Sequence, residues 1–252
     1  MTDQFVPAAP EERRPLEAQA VPAGPGPNDG LDDPRALTIL TTEHWGLLTA
    51  RSLVYNEAFA RAGMFLAFLS ATLVVLGLIS AVAGLGDPLL VIAAAILALD
   101  LFIGLASVGR ISAASYEDLR YLQGMNRLRH AYLEMAPALE RYMITSGYDD
   151  FASVSAFYGP RTGTASTFRG LVHGLTTATG MISVICAAVA GALVAVLAFL
   201  VTHDPVVGVV AGLAGFVAMF VTLSVVIISG ATTFARTMPV LFPPPGGSGE
   251  KA

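Results

Sequence analysis

The chain is 252 residues long, 54% hydrophobic and 13% charged, with a formal net charge of −5. This composition, with a mean hydropathy of +0.66, excludes an ordinary soluble globular protein and indicates an integral membrane protein. The negative charge lies mostly in residues 1–37, and no basic surface predicts a nucleic-acid partner. Cys186 is the only cysteine in the sequence, which excludes a disulfide framework, and we expect it to pack as a small apolar residue.

The N-terminal segment is rich in proline, alanine and acidic residues. Seven prolines fall within residues 1–37, which follow neither a helical nor a strand period. Such a segment buries too little apolar surface to offset the entropy lost on ordering. We therefore predict that residues 1–40 form a disordered tail.

A long helix is predicted from about Thr42 to Ala83. Thr41 and Thr42 are suitable N-cap residues, and no proline interrupts the sequence that follows. Side chains recur at spacings of three and four along one stripe: Trp45, Leu48, Ser52, Tyr55, Phe59 and Ala62. The amphipathic first half could lie on the membrane surface or stand as a stalk that pairs with another helix, and the unbroken sequence favours the stalk.

Two nearly uncharged runs, 62–84 and 89–108, flank a short break at residues 85–88. Each run is about 20 residues, which at about 1.5 Å per residue crosses a hydrocarbon layer of roughly 30 Å. The pattern predicts a transmembrane hairpin, with the lipid bilayer as a partner of the chain.

A further helix is predicted from the end of the second span to about Ala136. Its apolar stripe runs beside a charged face, and Pro137 is expected to end it and to begin a short segment up to Thr145. The first hairpin and its flanking helices form one predicted unit, residues 41–145. Residues 146–172, rich in glycine, serine and threonine, are predicted to form a loop.

A second hairpin is predicted within residues 173–238, with spans 175–201 and 205–229. Small residues repeat there at four-residue spacing, which lets helix backbones approach closely in lipid. The expected helix–helix contacts involve Ala187, Gly191, Ala195, Gly208, Ala211, Gly212 and Gly215. Residues 239–252 are predicted to be a disordered tail.

Arginine is distributed unequally between the two ends of the spans. Neither hairpin turn contains lysine or arginine, whereas the segment between the hairpins and both flanks contain arginine. The positive-inside rule therefore predicts that both termini and residues 110–172 are cytoplasmic.

Asp100 is the one acidic residue inside a predicted span, at a depth near the bilayer midplane. A carboxylate there is costly, so it indicates either an ion or proton site or a pore-lining group. The simpler alternative is a hydrogen-bonded residue that holds two spans together, with Ser70 or Thr72 at matching depth as its partner. The simpler alternative is favoured, because no other ionisable residue of the spans could complete a relay.

The densest polar cluster on the cytoplasmic side comprises Arg127, Arg129, His130 and Glu134. The two arginines could hold a lipid phosphate or another anion, and a histidine and a glutamate four residues apart share a helix face. Two ligands do not make a metal site, and such a pair is more often a solvated or intersubunit ion pair. We therefore predict no metal and keep an anion or partner site as a hypothesis.

The sequence contains no pattern typical of a nucleophile elbow, a zinc protease helix, a Walker loop or a dinucleotide fingerprint. An enzyme is therefore not expected, and no cofactor is predicted.

Three stretches of the sequence carry a resemblance. Residues 41–45 (TTEHW), 55–66 (YNEAFARAGMFL) and 124–132 (GMNRLRHAY) resemble a family of small, uncharacterised bacterial integral membrane proteins. The likeness covers about residues 40–150 and implies a bacterial plasma membrane but no activity. The plan of the first hairpin is also similar to that of two-span membrane effectors of bacterial defence systems, from which the second hairpin departs.

We therefore expect an all-α, polytopic membrane protein with four transmembrane helices in two hairpins and long cytoplasmic helical extensions. The leading functional hypothesis is a non-enzymatic protein that self-associates, as a homo-oligomer, and acts as a scaffold or a subunit that binds a protein partner. The alternative is an ion channel or pore-forming effector whose path is lined by the second span and Asp100.

Overall fold

The computed structural model describes residues 30–84, 86–158, 174 and 176–245, and within these ranges the protein is all-α, as predicted. The helices are α1 (Ala36–Ala83), α2 (Asp87–Met135), α3 (Phe151–Ser155), α4 (Ala178–Thr202) and α5 (Pro205–Thr237), with short 3-10 helices at Pro137–Tyr142 and Ala156–Tyr158. Helices α1, α2, α4 and α5 are long and apolar enough to cross a membrane. The fold is therefore that of a multi-pass membrane protein.

Helix α1 begins six residues before the predicted start at Thr42. The Arg35 side chain donates hydrogen bonds to the Asp33 carboxylate, and the Ala36 amide bonds to the Asp33 carbonyl. These bonds form a turn that leads directly into the helix, so the predicted disordered tail ends sooner than residue 40. The rest of that tail, residues 1–29, lies outside the described residues.

The break between α1 and α2 follows from the glycines and proline of the first hairpin. Gly84 has φ of 75°, a left-handed conformation that favours glycine, and its amide bonds to the Ser80 carbonyl. Gly86 is extended and precedes α2, whose second residue is Pro88. Helix α2 then runs for 49 residues, or about 70 Å, and ends before Pro137, as the sequence predicts.

The long helices pack in the order α1, α2, α4, α5, with neighbours antiparallel. At the centre, Phe65 of α1 and Cys186 of α4 both lie against Gly104 of α2, where an added Cβ would fall 2.9 Å from the Phe65 ring and 2.7 Å from the Cys186 sulfur. Only glycine leaves room for this three-helix contact. Cys186 is therefore a packing residue, as predicted.

Five of the predicted small residues of the second hairpin lie between α4 and α5: Gly191, Ala195, Gly208, Gly212 and Gly215. A Cβ added to Gly212 would fall 2.8 Å from the Ala195 Cβ and 3.0 Å from the Gly191 carbonyl oxygen. The same close approach occurs where Gly208 meets the Ala195 carbonyl and where Gly215 meets Val194. Ala187 is fully buried. Backbone proximity thus joins the two helices along about two turns.

The ends of this hairpin are capped by side chains. Thr177 accepts the Gly180 amide at the start of α4, and Asp204 accepts the Val206 amide at the start of α5. Helix α4 begins at Ala178, three residues after the predicted start of its span at residue 175. Helix α5 continues to Thr237, eight residues beyond the predicted end of its span at residue 229. The extra two turns of α5 take it to the end of the molecule opposite the hairpin turns.

We call that end the polar end: residues 36–61 of α1, 110–135 of α2, the segment 136–158 and residues 230–245. The predicted loop 146–172 includes α3 there, which is capped by the Asp150 carboxylate, while residues 159–173 lie outside the described ranges. The predicted disordered tail from residue 239 starts with a segment that packs on α2, as described below. The tail contact joins residues distant in sequence, and α3, although capped locally, packs its buried Val154 with Leu122 and Met125 of α2.

Candidate functional site

The predicted midplane carboxyl, Asp100, is buried inside the helix layer. It is 2% exposed, and its Oδ2 has no hydrogen-bond partner among the described residues. It lies on the continuous buried stripe of α2, one turn before Gly104. Members of that stripe include Ala93, Leu97, Asp100, Gly104, Ser107, Ile111, Ala114, Asp118, Leu122 and Met125.

The predicted hydroxyl partners of Asp100 are placed differently from each other. The Ser70 hydroxyl is on an exposed residue and donates to the carbonyl of Leu66, one turn back in its own helix. Thr72 is 8% exposed, so its side chain faces the interior. The structure therefore leaves Thr72, and not Ser70, on the same side of α1 as the carboxyl.

The antiparallel register of α1 and α2 separates Thr72 from Asp100 by a short distance along the axis. The ion pair between Arg51 and Asp118 fixes that register. Extended to the membrane layer, it places Leu69 opposite Asp100 and Thr72 about one helical turn further along. Thr72 therefore lies in the next layer of interior side chains along α1. It is not the direct hydrogen-bond partner of Asp100 that the sequence suggests.

A second buried carboxylate, Asp118, joins α1 to α2 at the polar end. Its side chain is fully buried, and it pairs with the Arg51 guanidinium and accepts the Tyr55 hydroxyl at 3.1 Å. The Arg51 guanidinium also lies 4.4 Å above the Phe157 ring. Burial, followed by the Asp118 charge, raises the pKa of Tyr55 to about 12. The phenol therefore remains a donor over the physiological pH range.

Closer to the membrane, Arg110 connects the same two helices. Its guanidinium lies 2.9 Å from Glu57 of α1 and 2.9 Å from Glu117 of α2, and Glu57 also pairs with Arg61. These groups are partly exposed, so the network orients the helices more than it stabilises them.

A third buried carboxylate, Asp149, holds the segment that follows α5. It accepts the amides of Leu241 and Phe242 at 3.0 Å and 2.8 Å, and the Arg127 guanidinium lies 2.8 Å away. Burial alone would raise the pKa of Asp149, but the bonds from the two amides and from Arg127 outweigh it and hold the pKa below its usual range. The carboxylate therefore stays ionised as the centre of the contact.

Amide and guanidinium groups of α2 complete this contact, which we call the Asp149 clamp: Gln123, Asn126, Arg127, Asp149 and residues 238–242. The Gln123 amide donates to the Pro239 carbonyl at 2.6 Å and to the Asp149 carbonyl at 3.2 Å. Arg127 donates to the same Pro239 carbonyl. The clamp fixes the segment that follows α5 to helix α2 through the backbone groups of that segment.

The predicted cytoplasmic cluster of arginines and His130 is divided among different partners. Arg127 bonds to Asp149 and to the Pro239 carbonyl, whereas Arg129 donates to the Asn126 side chain, since residues two apart on a helix project in different directions. His130 lies 3.5 Å from Glu134, in the pair that the spacing predicts, and stacks on Phe242 with centroids 4.2 Å apart. The geometry does not assemble the two arginines into one anion site.

Beside His130 lies a half-open cavity of about 500 Å³. Its lining mixes carboxylates with apolar side chains: His130, Leu133, Glu134, Pro137, Glu140, Met143, Ile144 and Tyr148. Across the part of the chain that the structure describes, no three histidine, cysteine or acidic side chains come together as a possible metal site.

Sequence reasoning missed the two most strongly paired carboxylates. Asp118 fits an amphipathic helix as an ordinary solvated residue, and Asp149 lies in a stretch with loop composition. One signal was available for Asp118, since it continues the period of the buried stripe that contains Asp100 and Gly104. No such signal was available for Asp149, because the backbone amides that it binds are not marked by any side-chain pattern.

No family model, curated protein or solved structure matches the chain.

Proposed function

We propose that this chain is a non-enzymatic, self-associating membrane protein that acts as a scaffold or partner-binding subunit, in a bacterial plasma membrane and with both termini cytoplasmic. The proposal rests on one face of α1 at the polar end. The uncharged side chains of Trp45 and Phe59 are more than half exposed there, and Trp45 is 66% exposed. At about 100° per residue, Trp45, the exposed Ser52 and Phe59 fall within a sector of about 40°, beside the line on which Leu48 and Tyr55 contact α2. We call this sector the α1 face.

Lipid does not cover the α1 face if α1 stands upright. The apolar run of α1 starts near residue 62, and Trp45 precedes it by about 25 Å at the rise of an α-helix. Because α1 remains paired with α2 along that length, as the approach of Leu47 to Gly124 shows, it continues as a stalk. A tryptophan exposed on a stalk favours a protein contact.

A second copy of the chain is the occupant that the geometry supports best. Two copies in one membrane share an orientation, so the α1 face of each stands at the same height and can meet the other across a two-fold axis. The charged groups at the base of the stalk are already paired internally, Arg51 with Asp118 and Arg110 with Glu57. This use of the charges supports a structural role rather than catalysis.

Cysteine crosslinking in native membranes tests the proposal. Ser52→Cys lies on the α1 face, and Glu43→Cys is a matched exposed position on the other side of the same helix. Oxidation should join two Ser52→Cys chains several-fold more than two Glu43→Cys chains. The parent chain, whose native Cys186 is buried, should give none. Equal crosslinking of both variants, or none of either, would reject the α1 face as the contact.

A pore is the second candidate, and Asp100 favours it. A buried carboxyl without a partner at mid-span is the group expected to meet a permeating cation. Purified protein in liposomes should then conduct cations, and Asp100→Asn should reduce the flux. If neither the parent nor the variant conducts, the pore is excluded.

A further inference from the structure

Three carboxyl groups of the described residues are almost completely buried, and they differ in their partners. Asp118 and Asp149 each pair with an arginine and accept further hydrogen bonds. Asp100 is as deeply buried, but its Oδ2 bonds to nothing. Since buried polar atoms in proteins are almost always hydrogen-bonded, Asp100 requires an explanation that the other two do not.

The surroundings of Asp100 are apolar. Between the polar end and the hairpin turns, α1, α2, α4 and α5 contain no other charged side chain, and the one further ionisable group is the thiol of Cys186. That sulfur lies against Gly104, one turn along α2, together with the Phe65 ring. An ionised carboxylate in such a layer is strongly disfavoured, whereas the neutral acid is tolerated much better.

Two other roles fit the geometry less well. A residue that only holds α2 to α1 would be expected to share a hydrogen bond with a neighbour, and the Ser70 hydroxyl is directed to Leu66 instead. A metal cation needs several oxygen ligands. Among the buried side chains of α1, the oxygen nearest in register is that of Thr72, about one turn away. A proton, by contrast, needs a single carboxyl group.

We propose that Asp100 is a proton-binding site, whose carboxyl group exchanges its proton with water and so switches the helix layer between a neutral and a negatively charged state. In the exchange, the O–H bond breaks, its electron pair stays on the carboxylate, and the proton passes to a water molecule. The reverse step restores the acid. This proposal does not depend on self-association through the α1 face. It deepens the second candidate function, the pore, by naming the proton as the cation that Asp100 binds.

Dicyclohexylcarbodiimide, which dissolves in the bilayer and adds only to protonated carboxyl groups, is the probe. The full-length protein in liposomes is treated over a range of pH, and the adduct at Asp100 is measured by peptide mass spectrometry. Labelling should be at least about tenfold stronger at the acid end of that range than at the alkaline end, because only the protonated acid reacts. Asp87, an exposed carboxyl at the hairpin turn, is the matched control, because a water-soluble carbodiimide should label it and the lipid-soluble one should not.

Three results would overturn the proposal. If Asp100 stays unlabelled at every pH while Asp87 reacts, the carboxyl does not exchange its proton. Labelling that is independent of pH would contradict it equally. If sodium at constant pH protects Asp100 and potassium does not, the site binds a metal cation instead. Asp100→Glu should retain pH-dependent labelling and Asp100→Asn should lose it, which assigns the adduct without relying on one variant.

Discussion

The buried carboxyl groups at the polar end and in the membrane layer of this protein differ in their hydrogen-bond and ion-pair partners. At the polar end, Asp118 and Asp149 are each neutralised by an arginine and fully hydrogen-bonded. In the membrane layer, Asp100 has no arginine and its Oδ2 has no hydrogen bond. Burial alone therefore does not define the role of an acidic residue. Asp118 and Asp149 hold elements of the fold together, whereas the Asp100 Oδ2 makes no contact that stabilises the fold.

The largest expected effect is at the junction of α1 and α2. Asp118→Ala leaves the Arg51 guanidinium buried without its partner, and we expect unfolding in mixed micelles to become easier by about 3–5 kcal/mol. The double variant Arg51→Met with Asp118→Leu removes both charges and should recover most of that loss. A double variant as unstable as the single one would show that the ion pair is not the cause.

Asp149→Ala should have a similar but more local effect. Loss of the carboxylate frees two amides and Arg127, at a cost of about 2–4 kcal/mol. Hydrogen exchange at Leu241 and Phe242 should accelerate, while exchange in α4 should not. The adjacent Asp150→Ala removes only the cap of α3 and should cost about 1 kcal/mol without changing exchange at those two amides.

Close packing in the second hairpin gives an intermediate effect. Gly212→Ala places a methyl group 2.8 Å from the Ala195 Cβ, and we expect a loss of about 1–3 kcal/mol in unfolding experiments. Gly77→Ala is the same substitution in α1 at a position with nothing within 4 Å, so it should gain up to about 1 kcal/mol through helix propensity. Equal effects would indicate that the contact between α4 and α5 is loose.

The smallest effect is expected at Asp100. Because its Oδ2 makes no hydrogen bond, Asp100→Asn should change the free energy of unfolding by less than about 1 kcal/mol. A loss as large as that of Asp118→Ala would show that Asp100 has a structural partner, and it would remove the contrast between the two regions.

Much of the helical fold could be predicted from local sequence, because its determinants are local. Pro88 and Pro137 fall where α2 begins and ends, and Gly84 ends α1 in a left-handed conformation. The small residues at 208, 212 and 215 likewise indicated where helix backbones approach. In each case the side chain itself, or its lack, imposes the geometry.

The site was less predictable, because its contacts join distant residues through the backbone. The clamp uses the amides of Leu241 and Phe242 and the carbonyl of Pro239, none of which depends on a recognisable side chain. Ser70 and Thr72 are chemically alike, and only the rotation of α1 against α2 decides which faces Asp100. The depth of Asp100 could be read from the sequence, whereas its lack of a partner could not.

The Asp149 clamp also sets an order on biogenesis. Asp149 is synthesised about 90 residues before the amides that it binds, and α4 and α5 lie between them in the chain. Until Leu241 and Phe242 leave the ribosome, the carboxylate has only Arg127 and water. The Asp149 clamp can therefore close only after the whole second hairpin has been synthesised, and a fusion protein should be joined beyond residue 245 to leave the clamp free.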